Sequence, residues 1–220
     1  MSKVVVLKTR PETVLKDYCN LLEKANFKKH IPKIDETILK INLSWSTEPW
    51  QLDGVLKYML DNKYENIHPV ENKTVVTDVW KGAKGNKWLP ILKKYKQEYE
   101  PLPDVKWVEY KPKGEILALD KIFSNGHKLP EMFIGKNVVH LPTVKTHGHT
   151  TMTGAMKNAF GGLITARRHH CHKMIHEVLV DLLQIQKEIH KGIFAVMDGT
   201  VCGDGKGPRT MVPRIKNYIL

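Results

Sequence analysis

The sequence has no long apolar run. None of its stretches approaches the roughly 18 to 20 apolar residues that a membrane-spanning helix needs. The amino-terminal segment has too short an apolar run for a signal peptide, and no small-residue cleavage site follows it. We therefore expect a cytoplasmic protein with no membrane partner.

Cysteine is also scarce. The three cysteines, Cys19, Cys171 and Cys202, lie far apart, and no two of them have the CxxC spacing. An odd and scattered set argues against a disulfide framework, a structural zinc site and an iron–sulfur cluster held by this chain's own cysteines. Free thiols in a reducing compartment are the expected state.

Common nucleotide-binding and nucleic-acid-binding motifs are missing as well. A Walker-type loop would need serine or threonine after its lysine, but glycine follows Lys206 in the loop CGDGKGP. There is no zinc finger, RRM signature or arginine-rich tail. The formal charge of +12 fits either a lysine-rich surface or an anionic partner, so nucleic acid stays an open but not favoured partner.

The sequence does contain short apolar runs that alternate with helical patterns. Apolar residues at helical spacing predict helices near residues 50–62 and 172–189. Strands are predicted at residues 4–7, 38–43, 66–70, 137–141 and 193–197. This order predicts an α/β fold, with a mainly parallel sheet flanked by helices, in which residues 1–220 form a single domain.

Residues 71–135 interrupt this pattern. They are rich in Lys, Trp, Tyr, Pro and Gly, and they predict an irregular inserted region, either a lobe or a set of long loops. Interleaved lysines and aromatic rings are able to stack on a ligand or on bases. They are more typical of a helix that covers a sheet with its lysine stems, which is the interpretation that we favour.

Polar side chains follow three of the predicted strands. Asn42 follows the second strand, residues 145–149 follow the strand that ends near Leu141, and Asp198 follows the strand that starts at Ile193. Ligands of open α/β sheets bind beyond the carboxyl ends of the strands. We therefore expect these three groups to converge at one edge of the sheet.

Several basic residues near this edge are suited to hold phosphate or carboxylate. They include Lys145, Lys157 and the pair Arg167 and Arg168, and a helix predicted to begin near Thr150 would add free N–H groups. The alternative is that these cations are simply solvated. The predicted anion-binding set is Lys157, Asn158, Arg168, Asn42, Thr146, Gly205 and Gly207.

The predicted catalytic set is His147, Asp198 and Lys145. A carboxylate at the end of a buried strand is costly unless it is paired or used, so we expect Lys145 or Lys157 to pair with Asp198. His147 with Asp198 would then carry general acid–base chemistry.

The histidine-rich stretch ARRHHCHKMIHE suggests a metal site as the competing chemistry. His172 and His176 have the i, i+4 spacing that chelates a metal on a helix, and Asp204 is a further candidate ligand. Neighbouring cations argue against a bare metal site unless an anionic substrate is bound with it. A divalent metal and ordinary hydrogen-bonded histidines both remain open.

With these residues in view, the chain resembles a large family of bacteria and archaea, the domain of unknown function 362. The resemblance is clearest from Val138 to Pro208. The family pattern is matched by Lys145, Thr146 and His147, by Thr153, Gly154, Ala155, Lys157 and Asn158, by Gly161 and His172, and by Asp198, Gly199, Asp204, Gly205, Gly207 and Pro208.

The chain departs from the family pattern at two positions. Ile41 replaces the proline of a Lys-Pro-Asn triplet, and Asp204 replaces the usual glutamate. Family members that carry an iron–sulfur cluster have ferredoxin-like cysteine motifs, and this sequence has none, so the resemblance does not imply a cluster here. Similar proteins continue beyond the position of Leu220, so we expect a short member of the family or a truncated form.

Taken together, these patterns favour a cytoplasmic enzyme that acts on a small anionic substrate, with or without a divalent metal. The resemblance does not supply a reaction. The competing hypothesis is a non-catalytic basic module that binds nucleic acid or a partner protein. Residues 71–135 discriminate between the two hypotheses. A lysine and aromatic surface that is exposed and contiguous with Arg167 and Arg168 favours binding, and closure of this segment over Lys145 and Asp198 favours catalysis.

Overall fold

The structure is a computed structural model that describes residues 3–164, 168–207 and 210–220. Its strands are β1 (Leu7–Lys8), β2 (Thr37–Lys40), β3 (Ile67–Glu71), β4 (Glu100–Pro101), β5 (Trp107–Tyr110), β6 (His127–Pro130), β7 (Asn137–His140), β8 (Thr143–His147), β9 (Thr151–Thr153), β10 (Ile193–Ala195), β11 (Asp198–Asp204) and β12 (Val212–Ile219). Its α-helices are α1 (Val14–Lys24), α2 (Phe27–His30), α3 (Pro49–Asp61), α4 (Val79–Gly85), α5 (Trp88–Lys94), α6 (Leu119–Ile122), α7 (Ala155–Leu163) and α8 (Ile175–Ile189). No helix in these ranges is long and apolar enough to cross a membrane.

A five-stranded parallel sheet forms the centre of the molecule, in the order β10-β7-β2-β3-β4. Successive side chains of a strand point to opposite faces. Leu39 and Val139 therefore enter the core on one face, beneath α1, α3 and α5. Ile38 and Val138 enter the core on the other face, beneath α7 and α8. The predicted α/β fold with helices on both faces of a mainly parallel sheet is confirmed.

A second five-stranded sheet lies beside the first, in the order β1-β12-β11-β8-β9. Only β8 and β11 run parallel within it. Residues 145–149 follow the predicted strand that ends near Leu141, but the first three of them belong to a further strand, β8, that the sequence patterns did not predict. The first predicted strand also differs, because β1 pairs antiparallel with β12 and takes no part in the parallel sheet.

The chain passes from the parallel sheet to the second sheet at two adjacent places, between β7 and β8 and between β10 and β11. The buried side chain of Gln51 joins them, since its Nε2 donates to the carbonyl oxygens of Pro142 at 3.2 Å and Val196 at 2.8 Å. The amide of Asp198 donates to the same Pro142 oxygen at 3.0 Å. Helix α3 therefore holds both crossings in place through the Gln51 side chain. The first turn of α3 is closed by a capping box of Glu48 and Gln51.

Residues 71–135 contribute to both faces of the parallel sheet. Strand β4 extends the sheet beside β3, and β5 and β6 form an antiparallel pair. The ring of Trp88 is fully buried, and its Nε1 donates to the carbonyl oxygen of Thr47 at 2.9 Å. This region therefore supplies core side chains on the α5 face as well as the loop that borders the candidate site.

Two of the predicted helices begin later than their sequence patterns suggest. Residues Thr151–Thr153 form β9, so α7 starts at Ala155 rather than near Thr150. A 3₁₀ helix spans Arg168–Met174, and α8 follows it. Within α7, a Cβ on Gly162 would lie 2.9 Å from Cε of Lys40. Glycine at this position therefore allows α7 to pack closely on a buried lysine side chain.

Candidate functional site

An open cavity of about 460 Å³ lies at the carboxyl ends of β2 and β3, where α7 and β8 approach them. Its position agrees with the general location of ligand sites in open α/β sheets. Polar lining residues come from three elements: Asn42 and Ser44 follow β2, Lys145 and His147 lie in β8, and Lys157 and Asn158 lie in α7.

The floor of the cavity is a buried ion pair. Nζ of Lys40 lies 2.6 Å from Oε1 of Glu71, and the two side chains are only 1% and 4% exposed. The same ammonium donates to the carbonyl oxygen of Ile41 at 2.6 Å and to Oδ1 of Asn158 at 3.3 Å. Burial lowers the pKa of Lys40, while the charge of Glu71 opposes that shift.

Sequence reasoning missed both members of this pair. The available signal was the lysine inside the apolar run ILKINL, since lysine is almost never fully buried unless it is paired. Asn158 is bonded to Lys40 twice, because its Nδ2 also donates to the Lys40 carbonyl oxygen at 2.9 Å. Asn158 therefore fixes Lys40 and connects α7 to β2.

Lys145 lies in the wall of the cavity, only 4% exposed. Its Nζ donates to the carbonyl oxygens of Ser44 and, at 3.0 Å, of Trp45. Asn42 fixes the second acceptor, because its Nδ2 donates to the Trp45 oxygen at 3.2 Å. Within the described ranges no carboxylate forms an ion pair with Lys145.

This environment makes Lys145 an unusually acidic lysine. Burial is the main cause that lowers the pKa of its ammonium to about 7, and this value includes an opposing contribution from Glu71 and smaller lowering contributions from Lys157 and Lys40. An exposed lysine has a pKa near 10.4. Lys145 therefore exchanges its proton near neutral pH, as a proton-transfer group should.

Lys157 and Arg168 lie on the side of the cavity formed by α7 and the 3₁₀ helix, and both are half-buried. Nζ of Lys157 is 4.0 Å from the centre of the Phe160 ring. Burial and the nearby Arg168 lower the pKa of Lys157 to about 8. The Arg168 guanidinium donates to the carbonyl oxygen of Lys73, which ties the 3₁₀ helix to the loop after β3.

Imidazole rings border the cavity beside Lys157. The ring centres of His149 and His172 are 4.7 Å apart, and those of His147 and His172 are 6.4 Å apart. Burial lowers the pKa of His147 to about 4, and Lys157 contributes to that shift. Its Nδ1 accepts from the His149 amide at 3.1 Å, so the neutral ring carries its proton on Nε2. His147 is therefore a hydrogen-bond donor near neutral pH.

The charges that line the cavity are unbalanced. Lys40, Lys145, Lys157 and Arg168 supply four cationic side chains, and Glu71 is the single carboxylate among the described lining residues. That carboxylate is already bonded to Lys40. Buried cations without a counter-charge are costly. An anion that enters the cavity would supply the missing charge.

Asp198 is not part of this cavity. Its Oδ2 accepts from the Tyr18 hydroxyl at 2.5 Å and from Trp50 Nε1 at 3.0 Å, and its Oδ1 accepts from the amide and hydroxyl of Thr200. The prediction that Lys145 or Lys157 pairs with Asp198 is therefore wrong. The acid–base pair of His147 and Asp198 is not assembled, since the carboxylate fixes the start of β11 against α1 and α3.

Gly205 and Gly207, two of the predicted anion-binding residues, lie in the turn that follows β11. The Thr146 hydroxyl donates to the carbonyl oxygen of Gly205 at 2.6 Å, and Gly205 adopts the left-handed region with φ +106°. Gly207 borders the cavity, and a Cβ there would lie 2.5 Å from the Thr146 carbonyl oxygen. Thr146 and Gly205 thus position the backbone of Gly207. The predicted site residues Arg167 and Pro208 lie outside the described residues.

The predicted metal ligands are not brought together. His172 borders the cavity, His176 is exposed on α8, and Asp204 is bonded to Arg214 Nε at 3.1 Å. The spacing argument fails because the helix before Met174 is 3₁₀, so His172 and His176 do not share one α-helical face. Across residues 3–164, 168–207 and 210–220, no three or more His, Cys, Asp or Glu side chains are grouped to hold a metal ion.

The sequence model of a family described as a domain of unknown function, DUF362, matches residues 38–220. The chain belongs to this family. The DUF362 match begins 100 residues before Val138, the start of the segment with the clearest resemblance. It includes every described residue that lines the cavity, from Lys40 to Gly207. A comparison with curated proteins found no match.

The fold of this DUF362 protein is similar to a solved structure. That structure is the crystal structure of a protein from Thermotoga maritima determined by the Northeast Structural Genomics Consortium. The two share 11% sequence identity with a TM-score of 0.54, over 94% of this chain and 55% of the other. The chain therefore spans about half the length of that neighbour, and the likeness concerns the fold alone.

Proposed function

We propose that this DUF362 protein is a cytoplasmic enzyme that acts on a small anionic molecule, with a phosphate or carboxylate group held in the cavity. One observation carries the proposal. Four basic side chains face a cavity whose single described carboxylate is already paired with one of them. A cavity of about 460 Å³ is within the usual range for a small-molecule ligand.

The lining residues have distinct parts in this proposal. Lys157 and Arg168 provide charge-assisted hydrogen bonds to the anion, and His147 offers its Nε2 proton to a further oxygen atom of the bound molecule. Lys145 is the group that accepts or donates a proton, because its pKa of about 7 matches the pH of a cell. Asn42 and Asn158 position the two buried lysines, since their hydrogen bonds go to Lys145's acceptor and to Lys40.

The alternative of a nucleic-acid-binding module receives less support. Trp88 and Tyr99 are buried, so their rings are not available to stack on bases. Trp107 is half-buried, and Trp80, which is 49% exposed, packs edge-on against the Tyr99 ring. Residues 74–76 from the same region line the cavity instead, which favours a small enclosed ligand.

Titration calorimetry with inorganic phosphate at pH 6.5 tests the proposal. Lys157→Met is expected to weaken phosphate binding roughly 10- to 100-fold, because one charge-assisted hydrogen bond contributes about 1.5–3 kcal/mol. Lys187→Met removes the same charge from the exposed face of α8, well outside the cavity lining, and serves as the matched control with unchanged affinity.

Two results would contradict the proposal. One is that neither phosphate nor acetate binds to the wild-type protein in the millimolar range or tighter. The other is that Lys157→Met and Lys187→Met weaken phosphate binding to the same degree, which would indicate a diffuse charge effect and not a built site.

A further inference from the structure

The three lysines of the cavity are held in different ways. Lys40 is paired with Glu71, and the ammonium of Lys157 lies over the Phe160 ring. Lys145 has neither a carboxylate nor a ring as its partner within the described residues, and its Nζ donates to two backbone carbonyl oxygens. These carbonyls hold the nitrogen in one place without fixing its charge.

The two carbonyls also orient the neutral form of the amine. A neutral primary amine has two N–H bonds and one lone pair, whereas an ammonium has three N–H bonds. The oxygens of Ser44 and Trp45 accept both N–H bonds of the neutral amine. The lone pair of the Lys145 nitrogen then remains free to react with a ligand in the cavity, because Lys145 is part of the cavity wall.

The surroundings favour that neutral form. Desolvation together with neighbouring cationic groups is the arrangement that activates lysine as a nucleophile. Lys145 is buried, and Lys40 and Lys157 line the same cavity. Its pKa of about 7 leaves a large share of the amine unprotonated at neutral pH, in contrast to roughly one exposed lysine in a thousand.

We propose that Lys145 is a nucleophile that forms an imine with the carbonyl carbon of its substrate, so that the substrate class is an oxo compound carrying a carboxylate or phosphate. This inference rests on the proposed function, because the cationic lining must first hold the anionic group.

The covalent step balances without any further reactant. The lone pair of Lys145 Nζ forms a bond to the carbonyl carbon while the π bond to oxygen breaks, and one proton moves from the nitrogen to that oxygen to give a neutral carbinolamine. The hydroxyl then leaves with the remaining proton of the nitrogen as water, the C=N bond forms, and the neutral imine takes up one proton from solvent to become a cation. The anionic group of the substrate then balances the new positive charge on the imine nitrogen.

His147 is placed to assist this step. Lys145 and His147 are two residues apart in β8, so their side chains lie on the same face of the strand, and both line the cavity. Nε2 of His147 carries a proton near neutral pH. It is suited to donate a hydrogen bond to the carbonyl oxygen as negative charge develops there.

Reductive trapping tests the proposal. The protein is incubated with glyoxylate or pyruvate and sodium cyanoborohydride at pH 7, and the modified residue is located by peptide mass spectrometry. We expect one adduct at Lys145, formed at least about 10-fold faster than at any exposed lysine because of its larger neutral fraction. Acetone lacks the anionic group and lactate lacks the carbonyl, and neither should give this adduct.

Variants separate the nucleophile from the anion site. Lys145→Arg has no free amine near neutral pH, so it should lose the adduct. Phosphate titration of the same variant shows whether its cavity still binds an anion. Lys157→Met should slow labelling at a fixed low glyoxylate concentration without moving it to another residue. Lys187→Met should leave labelling unchanged.

Each failure has its own meaning. If phosphate and pyruvate bind to the cavity but the modification is absent from Lys145, or is spread over exposed lysines, the nucleophile is disproved and the proposed function stands. If neither anion binds and no adduct forms, both proposals fail. Circular dichroism of Lys145→Arg confirms that a lost adduct does not come from an unfolded variant.

Discussion

Replacing Glu71 with glutamine is expected to destabilise the protein by about 3–5 kcal/mol and, at the same time, to strengthen anion binding. The carboxylate is 4% exposed and lies 2.6 Å from the Lys40 ammonium. Removing one member of a buried ion pair leaves the other charge buried without a partner, at a cost of about 3–5 kcal/mol. Guanidinium unfolding followed by circular dichroism measures the loss.

Phosphate affinity should rise in Glu71→Gln although stability falls. Glu71 is the single described carboxylate in the lining, so its removal makes the cavity more positive, and we expect about tenfold tighter phosphate binding. Asp61→Asn, which breaks the exposed pair with Lys57, is the matched control and should change neither quantity measurably. Unchanged stability, or weaker phosphate binding, in Glu71→Gln would contradict this account of the cavity floor.

Asp198→Ala is expected to destabilise the protein by about 3–5 kcal/mol without weakening phosphate binding of the folded molecules. Tyr18 and Thr200 would lose their acceptor, whereas Trp50 Nε1 would keep the Thr200 hydroxyl oxygen at 3.1 Å. Each buried donor left unsatisfied costs about 1–3 kcal/mol. Because the carboxylate does not line the cavity, the effect should be confined to stability.

Asp198→Asn separates this role from a role in catalysis. The amide keeps one oxygen acceptor and the shape of the side chain, so the loss of stability should be smaller than in the alanine variant, and phosphate binding should stay at the wild-type value. A stable Asp198→Asn protein that has lost phosphate binding would show that the carboxylate serves the site directly, as the sequence pattern first suggested.

The location of the site follows from the sequence because strand order fixes it. The apolar runs at residues 38–43 and 137–141 correspond to neighbouring parallel strands, and Asn42 and His147 come to the same cavity from their carboxyl ends. Lys157 reaches that cavity from α7, although the helix starts later than predicted. Local spacing was enough to identify these side chains as neighbours.

The partners of these side chains depend on contacts that local spacing does not encode. Lys40 meets Glu71 across 31 positions, because β2 pairs with β3 and both residues end their strands. Asp198 meets Tyr18 across 180 positions, because α1 covers the crossing between the two sheets. The sequence correctly required a partner for a buried carboxylate, and the packing of α1 and α3 against the start of β11 determines which partners it has.

The metal prediction fails for a more local reason. A 3₁₀ helix and an α-helix place residues four apart at different angles, and the change from one to the other falls at Met174. Histidines on either side of this point, His172 and His176, therefore diverge. An amphipathic pattern does not reveal where such a change occurs.

The pH dependence of sulfate binding is the most direct test of the central claim, that a cavity with protonatable lysines binds an anion. Sulfate keeps its charge over the relevant range, so any change comes from the protein. Lys157, which the proposed function places against the anion, has a pKa of about 8 without ligand, and the bound anion should raise that pKa, since it favours the charged form.

Affinity should thus fall about 10-fold between pH 6 and pH 9, as the Lys157 ammonium loses its proton. Calorimetry at pH 8 in two buffers of different ionisation enthalpy should show that the protein takes up protons when sulfate binds. Binding that is independent of pH from 6 to 9, with no proton uptake at pH 8, would contradict the account.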